Sequence, residues 1–228
     1  QGISEFIPVS SSAHLILASQ INQFNINTLQ IDVSLHAGSL IAILLYFWKD
    51  LIGIFKDKKL LALIFLGSTP LLVVGLILYS TELIYNLRNI KVITWSTLIF
   101  AILLFFSDKK KVKKKIQNDL KIKDILIIGL SQILAFIPGA SRSGVVMTSC
   151  RYLKFNRLDS AKISFFLSIP ALAGASFLGL NDISKEGIDF NNVIIFTTLF
   201  SFIFSFFTIK FLLYFLNRFS LKVLSLIH

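Results

Sequence analysis

The sequence predicts an all-α protein that crosses a membrane several times, and three observations carry that reading. Of its 228 residues, 55% are hydrophobic and only 15% charged, with a mean hydropathy of +0.78. A soluble domain of this length needs far more polar surface to cover its core, which sets aside a soluble helical protein. Five long apolar segments, about 33–48, 60–79, 91–107, 163–180 and 192–216, approach the roughly 20 residues that span a bilayer. The basic residues gather in or beside the connectors, and 19 of the 23 Lys and Arg fall on one set of alternate connectors.

Taken in order, the stretch 1–20 is apolar but broken by Gly2, Pro8 and the run Ser10-Ser11-Ser12. Broken backbone at membrane depth is tolerated only where protein or water satisfies it, so this stretch predicts a re-entrant hairpin with a polar loop at Phe6–His14. The span 33–48 leads to a connector holding Lys49, Lys56, Lys58 and Lys59. Spans 60–79 and 91–107 flank a connector with only Arg88 and Lys91. The connector 108–123 carries eight Lys. A second broken stretch, 124–150, predicts a second hairpin with its polar loop at Phe136–Gly144. Arg151, Lys154, Arg157 and Lys162 follow, then the last two spans, with Lys185 between them and Lys210, Arg218 and Lys222 towards the end. The positive-inside rule places the Lys-rich connectors in the cytoplasm. Their alternation with apolar segments reads as an orientation signal, with no nucleic-acid partner expected. The single Cys150 excludes an internal disulfide and a multi-Cys metal site. No cleavable signal precedes the first hairpin, and a chain starting at Gln1 reads as a fragment.

A shift of 130 residues lays Phe6-Ile7-Pro8 on Phe136-Ile137-Pro138 and Ser11 on Ser141. It also lays 33–48 on 163–178 and 60–79 on 190–209, while the partner of 91–107 would run past His228. The chain therefore reads as one membrane domain, 1–228, with half one at about 1–107, a cytoplasmic connector 108–123 and half two at about 124–228. Three spans separate the hairpins, so the halves have opposite orientation: an inverted-topology repeat with about five to six transmembrane helices, the last truncated. Such folds place their site at the repeat interface. The first hairpin enters from outside and the second from the cytoplasm, with their tips expected to meet.

Ionisable residues at membrane depth are costly and mark function. The first hairpin holds Glu5 and His14, and the second Arg142. Gln1 and Glu5, spaced i and i+4, share one face of a helical turn and can offer hard oxygens to a divalent cation, or else pair locally, Glu5 with Arg142. Pro8 ends the first arm. The hydroxyls of Ser10, Ser11 and Ser12 and the backbone N–H groups freed there suit phosphate. Ser11 and His14 are one turn apart; His14 can take the Ser11 proton or attack phosphorus itself. His36 reads as a packing residue or one that backs the site. In the second loop, Gly139 and Gly144 permit close backbone approach, Ser141 and Ser143 flank the charge, and Arg142 offers a planar fork for two phosphate oxygens.

The run Gln1-Gly2-Ile3-Ser4-Glu5-Phe6-Ile7-Pro8-Val9-Ser10-Ser11-Ser12-Ala13-His14 resembles the first signature of the bacterial undecaprenyl-pyrophosphate phosphatase family. Pro138-Gly139-Ala140-Ser141-Arg142-Ser143 resembles the second, and the stretches 32–50 and 161–174 are also similar. The resemblance implies a multi-pass enzyme of the bacterial cytoplasmic membrane that releases the terminal phosphate of undecaprenyl pyrophosphate for cell-wall synthesis. It further implies a divalent cation (Mg2+ or Ca2+) and bacitracin resistance. Gln1 and Glu5 take the (Glu/Gln)-x-x-x-Glu positions, Ser11 and His14 the catalytic positions, and Arg142 the phosphate-binding position. Two departures stand out: Gln1 replaces the Glu of many members, and Val146 stands where the second motif often has Thr, with no role assigned to Thr148. The expected site opens to the outer side, and a homodimer is compatible with the sequence. The competing classes are a transporter or flippase of a phosphate-bearing lipid, for which inverted repeats are typical, and an ion channel or lipid-binding subunit. Phosphate release separates these from an enzyme.

Overall fold

A computed structural model describes residues 1–9, 28–81, 89–186 and 192–225. Every extended element among them is helical, in line with the all-α reading. Residues 1–9 form consecutive turns, with the Glu5 N–H donating to Gln1 O at 2.9 Å. The helices are α1 (Thr28–Tyr46), α2 (Trp48–Lys56), α3 (Lys58–Thr81) and α4 (Ile90–Ser107). There follow the short α5 (Ile116–Asp119), then α6 (Ile122–Ser131), a 3-10 turn (Gln132–Phe136) and α7 (Arg142–Tyr152). The chain continues through α8 (Arg157–Glu186), α9 (Asn192–Arg218) and the short α10 (Leu221–Ser225).

Among the described residues four helices, α3, α4, α8 and α9, are long and apolar enough to cross a membrane. A fifth crossing exists if α1 and α2, bent by 74° at their junction, are counted together. The connector expected at 49–59 is thus mostly helical. Pro70 and Pro170 lie inside α3 and α8, as membrane helices allow where neighbours re-satisfy the freed carbonyls. Large apolar side chains face outward all along these spans, among them Phe65, Trp95, Phe177 and Phe207, each at least 60% exposed. Such surface is unfavourable in water and suits lipid.

The interior is built on close aromatic contacts. Phe6, 1% exposed, meets Phe165 of α8 edge-on at 5.6 Å between ring centres, and Phe165 lies 5.7 Å from Phe47. Met147 of α7 belongs to the same buried cluster, so the two broken stretches share one core. The most extensive helix contact joins α1 to α9. Small residues permit it: Gly38 lies against the α9 backbone, and Ser39 shares hydrogen bonds with Ser201 (3.2 Å) and Ser205 (3.0 Å). This packing fixes His36, one turn before Ser39, next to residues 1–5.

Candidate active site

Sequence places Glu5 and Arg142 in different halves of the chain, and the fold brings them together. Glu5 belongs to the turn anchored by the buried Phe6. Arg142 is the first residue of α7, whose N-cap is Ser141. The cap forms because the Ser141 hydroxyl accepts from the Gly144 N–H at 3.3 Å, leaving the other first-turn N–H groups without partners inside the helix. Arg142 Nη2 donates to Glu5 Oε1 at 2.6 Å; the two side chains are 15% and 10% exposed. Ser143 Oγ donates to Ile7 O at 2.9 Å, a second link between the loops, and lies 3.1 Å from Ser141 Oγ. Pro8 also lies against Gly144.

Two buried polar atoms at this junction, Arg142 Nη1 and Gln1 Oε1, lack a hydrogen-bond partner among the described residues. Buried groups are ordinarily satisfied, so unsatisfied ones of opposite kind, a cationic donor and a neutral acceptor, mark a place that suits a ligand with anionic and cationic parts. Gln1 Oε1 and the Glu5 carboxylate are hard oxygens, which fit a divalent cation. Among the described residues no three His, Cys, Asp or Glu side chains stand close enough to hold a metal ion. The protein would supply two oxygens and phosphate and water the rest, the usual arrangement for Mg2+ with phosphorylated substrates.

Gly139 has a role that its sequence context did not disclose. Its φ is +96°, open to glycine, and a side chain there would collide with Ser96 and Thr97 of α4. This close approach is to α4. Ser96 donates to Pro138 O and Thr97 to Gly139 O, clamping the loop from behind. Neither residue was singled out in the sequence; hydroxyls in an apolar span were the available signal. His36, read as packing or as backing the site, directly contacts the Gln1 amide. Ser10, Ser11, Ser12 and His14 lie outside the described residues. An apolar groove of about 580 Å3 starts at Gln1 and Ser4 and runs along α9 past Phe204, Phe211 and Phe215.

A family model described as bacitracin resistance protein BacA matches residues 1–227. A protein of Pelagibacter ubique (strain HTCC1062) named undecaprenyl-diphosphatase is 50% identical over 224 residues, covering 98% of this chain and 88% of that protein. Proteins of the same name from Hahella chejuensis (strain KCTC 2396) and Elusimicrobium minutum (strain Pei191) are 42% and 38% identical. They cover 79% and 98% of this chain, and the matches span 72% and 88% of those proteins. With Glu5 and Ile7 of the first signature joined to Arg142 and Ser143 of the second and the match running through the whole chain, this protein belongs to the bacitracin resistance protein BacA family of undecaprenyl-diphosphatases.

Proposed function

We propose that the protein hydrolyses undecaprenyl pyrophosphate to undecaprenyl phosphate and inorganic phosphate, returning the lipid carrier to peptidoglycan synthesis. The observation that carries this reading is the Glu5–Arg142 junction, with Arg142 Nη1 buried and unsatisfied beside it. Arg142 can hold two oxygens of the β-phosphate, the group to be transferred, with N–H groups of the α7 first turn behind it. The apolar groove beside Gln1 suits an isoprenoid chain.

The substrate phosphate takes over the Arg142 fork, releasing Glu5 from its ion pair. Glu5 and Gln1 would hold a divalent cation, Mg2+ or Ca2+, which when bound offsets charge on the phosphates. Ser11 attacks the β-phosphorus and gives its proton to His14; the P–O–P bond breaks and undecaprenyl phosphate leaves. Water then hydrolyses the phosphoserine. The variant with His14 as nucleophile and Ser11 as positioning group passes through phosphohistidine, and mapping a trapped phospho-enzyme separates the two. Phosphoryl transfer depends mainly on such positioning and charge stabilisation. Ser10, Ser12, Ser141 and Ser143 complete the phosphate surroundings.

The two halves form an inverted repeat in the bacterial cytoplasmic membrane, with the Lys-rich connectors in the cytoplasm and the site open to the outer side. Matching contacts support the repeat: Gly2 of the first hairpin lies against α9, and Gly129 of the second lies against Gly67 of α3, the α9 counterpart. The test is phosphate release from undecaprenyl or farnesyl pyrophosphate by purified protein, with and without chelator. Release that chelator abolishes is expected. Intact binding with no release would sink the enzyme reading and favour a transporter.

A further inference from the structure

A glutamine differs from a carboxylate in having two unlike ends, an NH2 that donates and an oxygen that accepts. At a cation site only one of its two orientations is useful. In this structure the Gln1 Nε2 lies 2.8 Å from His36 Nδ1 and 3.3 Å from His36 Nε2. An amide NH2 donates, so the ring nitrogen it faces is the acceptor of this hydrogen bond. With its NH2 committed to His36, the amide turns Oε1 away from the ring. That oxygen is buried and has no hydrogen-bond partner, one helical turn from Glu5. An acceptor held in place by its own donor end, yet left unsatisfied one helical turn from a carboxylate, suits a cation.

We infer that His36 is a positioning residue: by accepting from the Gln1 amide NH2, its ring fixes that amide with the oxygen turned into the cation site. The inference rests on the reading that Gln1 and Glu5 hold a divalent cation. The backbone of α1 at His36 is held independently of the amide, because Ser39, one turn on, shares hydrogen bonds with Ser201 and Ser205 of α9. With an apolar residue at position 36, the amide could turn its NH2 towards the cation and oppose binding. A glutamate at position 1 would escape this dependence, since both its oxygens accept.

Mn2+ binding to the purified chain in detergent without substrate, read by electron paramagnetic resonance of free Mn2+, tests this. His36→Leu is expected to weaken Mn2+ binding by about tenfold or more, the scale on which partners behind a metal ligand act. His36→Gln, whose side-chain oxygen accepts the same hydrogen bond, is expected to stay within about threefold of the parent, because it restores the acceptor. In a Gln1→Glu background, His36→Leu should leave the affinity unchanged. If His36→Leu does not fold, His36→Ala serves the same comparison. Equal loss in His36→Gln and His36→Leu, or no loss in His36→Leu, overturns the inference and leaves the cation reading standing. Absence of Mn2+ binding by the parent chain overturns the cation reading, and this inference with it.

Discussion

The two ends of α7 carry arginines, one part-buried and one buried, that look alike in sequence and differ in what they touch. At the N-terminal end Arg142 pairs with Glu5, and among the described residues its Nη1 is left without a partner. Near the C-terminal end Arg151 is 3% exposed and donates to three backbone carbonyls: Phe155, Asp108 and Lys110. Its Nε stands 3.4 Å from Asp108 Oδ1, a loose ion pair rather than a hydrogen bond. Asp108 is held by both arms of Arg157 at 2.8 and 2.9 Å. Arg151 is thus a clamp for the Lys-rich connector, with its fork taken up by backbone. Arg142 is joined to a side chain that can let go. A buried arginine can be structural or ligand-ready, and how completely its fork is satisfied tells the two apart.

This contrast can be broken most directly at Arg142. Arg142→Ala is expected to lower phosphate release per folded molecule at least about a thousand-fold, the scale for an arginine that stabilises phosphoryl transfer. Turnover within tenfold of the parent would remove Arg142 from the site. Arg151→Ala is expected to do the reverse. Breaking a buried pair on one side costs about 3–5 kcal/mol, read as a lowered thermal midpoint in detergent, while turnover per folded molecule stays near normal. Loss of turnover without loss of stability would make the two arginines functionally alike.

Smaller effects sharpen the comparison. Gly139→Ala puts a side chain against Ser96 at a backbone conformation with φ +96°, and strain of this kind costs about 1–3 kcal/mol. The expected outcome is lower thermal stability together with reduced turnover, because the clamp positions Arg142. Ser143→Ala removes the hydrogen bond to Ile7 O, worth about 1 kcal/mol. Thermal unfolding should register that loss, and turnover should fall only severalfold. A drop as deep as that of Arg142→Ala would make the Ser143 part in holding phosphate as large as that of Arg142.

Much of the fold was legible because lipid and water impose one-dimensional rules. Apolar length sets a span, and Lys placement sets its sides, so segments such as 60–79 and 192–216 emerged with nearly the right limits as α3 and α9. The bend between α1 and α2 did not emerge, since no proline or glycine marks Phe47. The site was legible as residue types: Glu5 and Arg142 stood out because isolated charge in apolar sequence is expensive. Ser11 and His14 rest on spacing and resemblance, outside the described residues.

By itself, then, the sequence determined that this chain is a helical membrane protein with two polar loops bearing complementary charge, for these follow from composition and spacing. Tertiary structure alone decided which atoms meet. The Glu5–Arg142 pair, the clamp of Ser96 and Thr97 on the second loop, and the His36 hold on Gln1 all join residues at least 35 positions apart. Contacts of that kind depend on how helices cross, and helix crossing is set by side-chain packing in three dimensions rather than by any pattern along the chain.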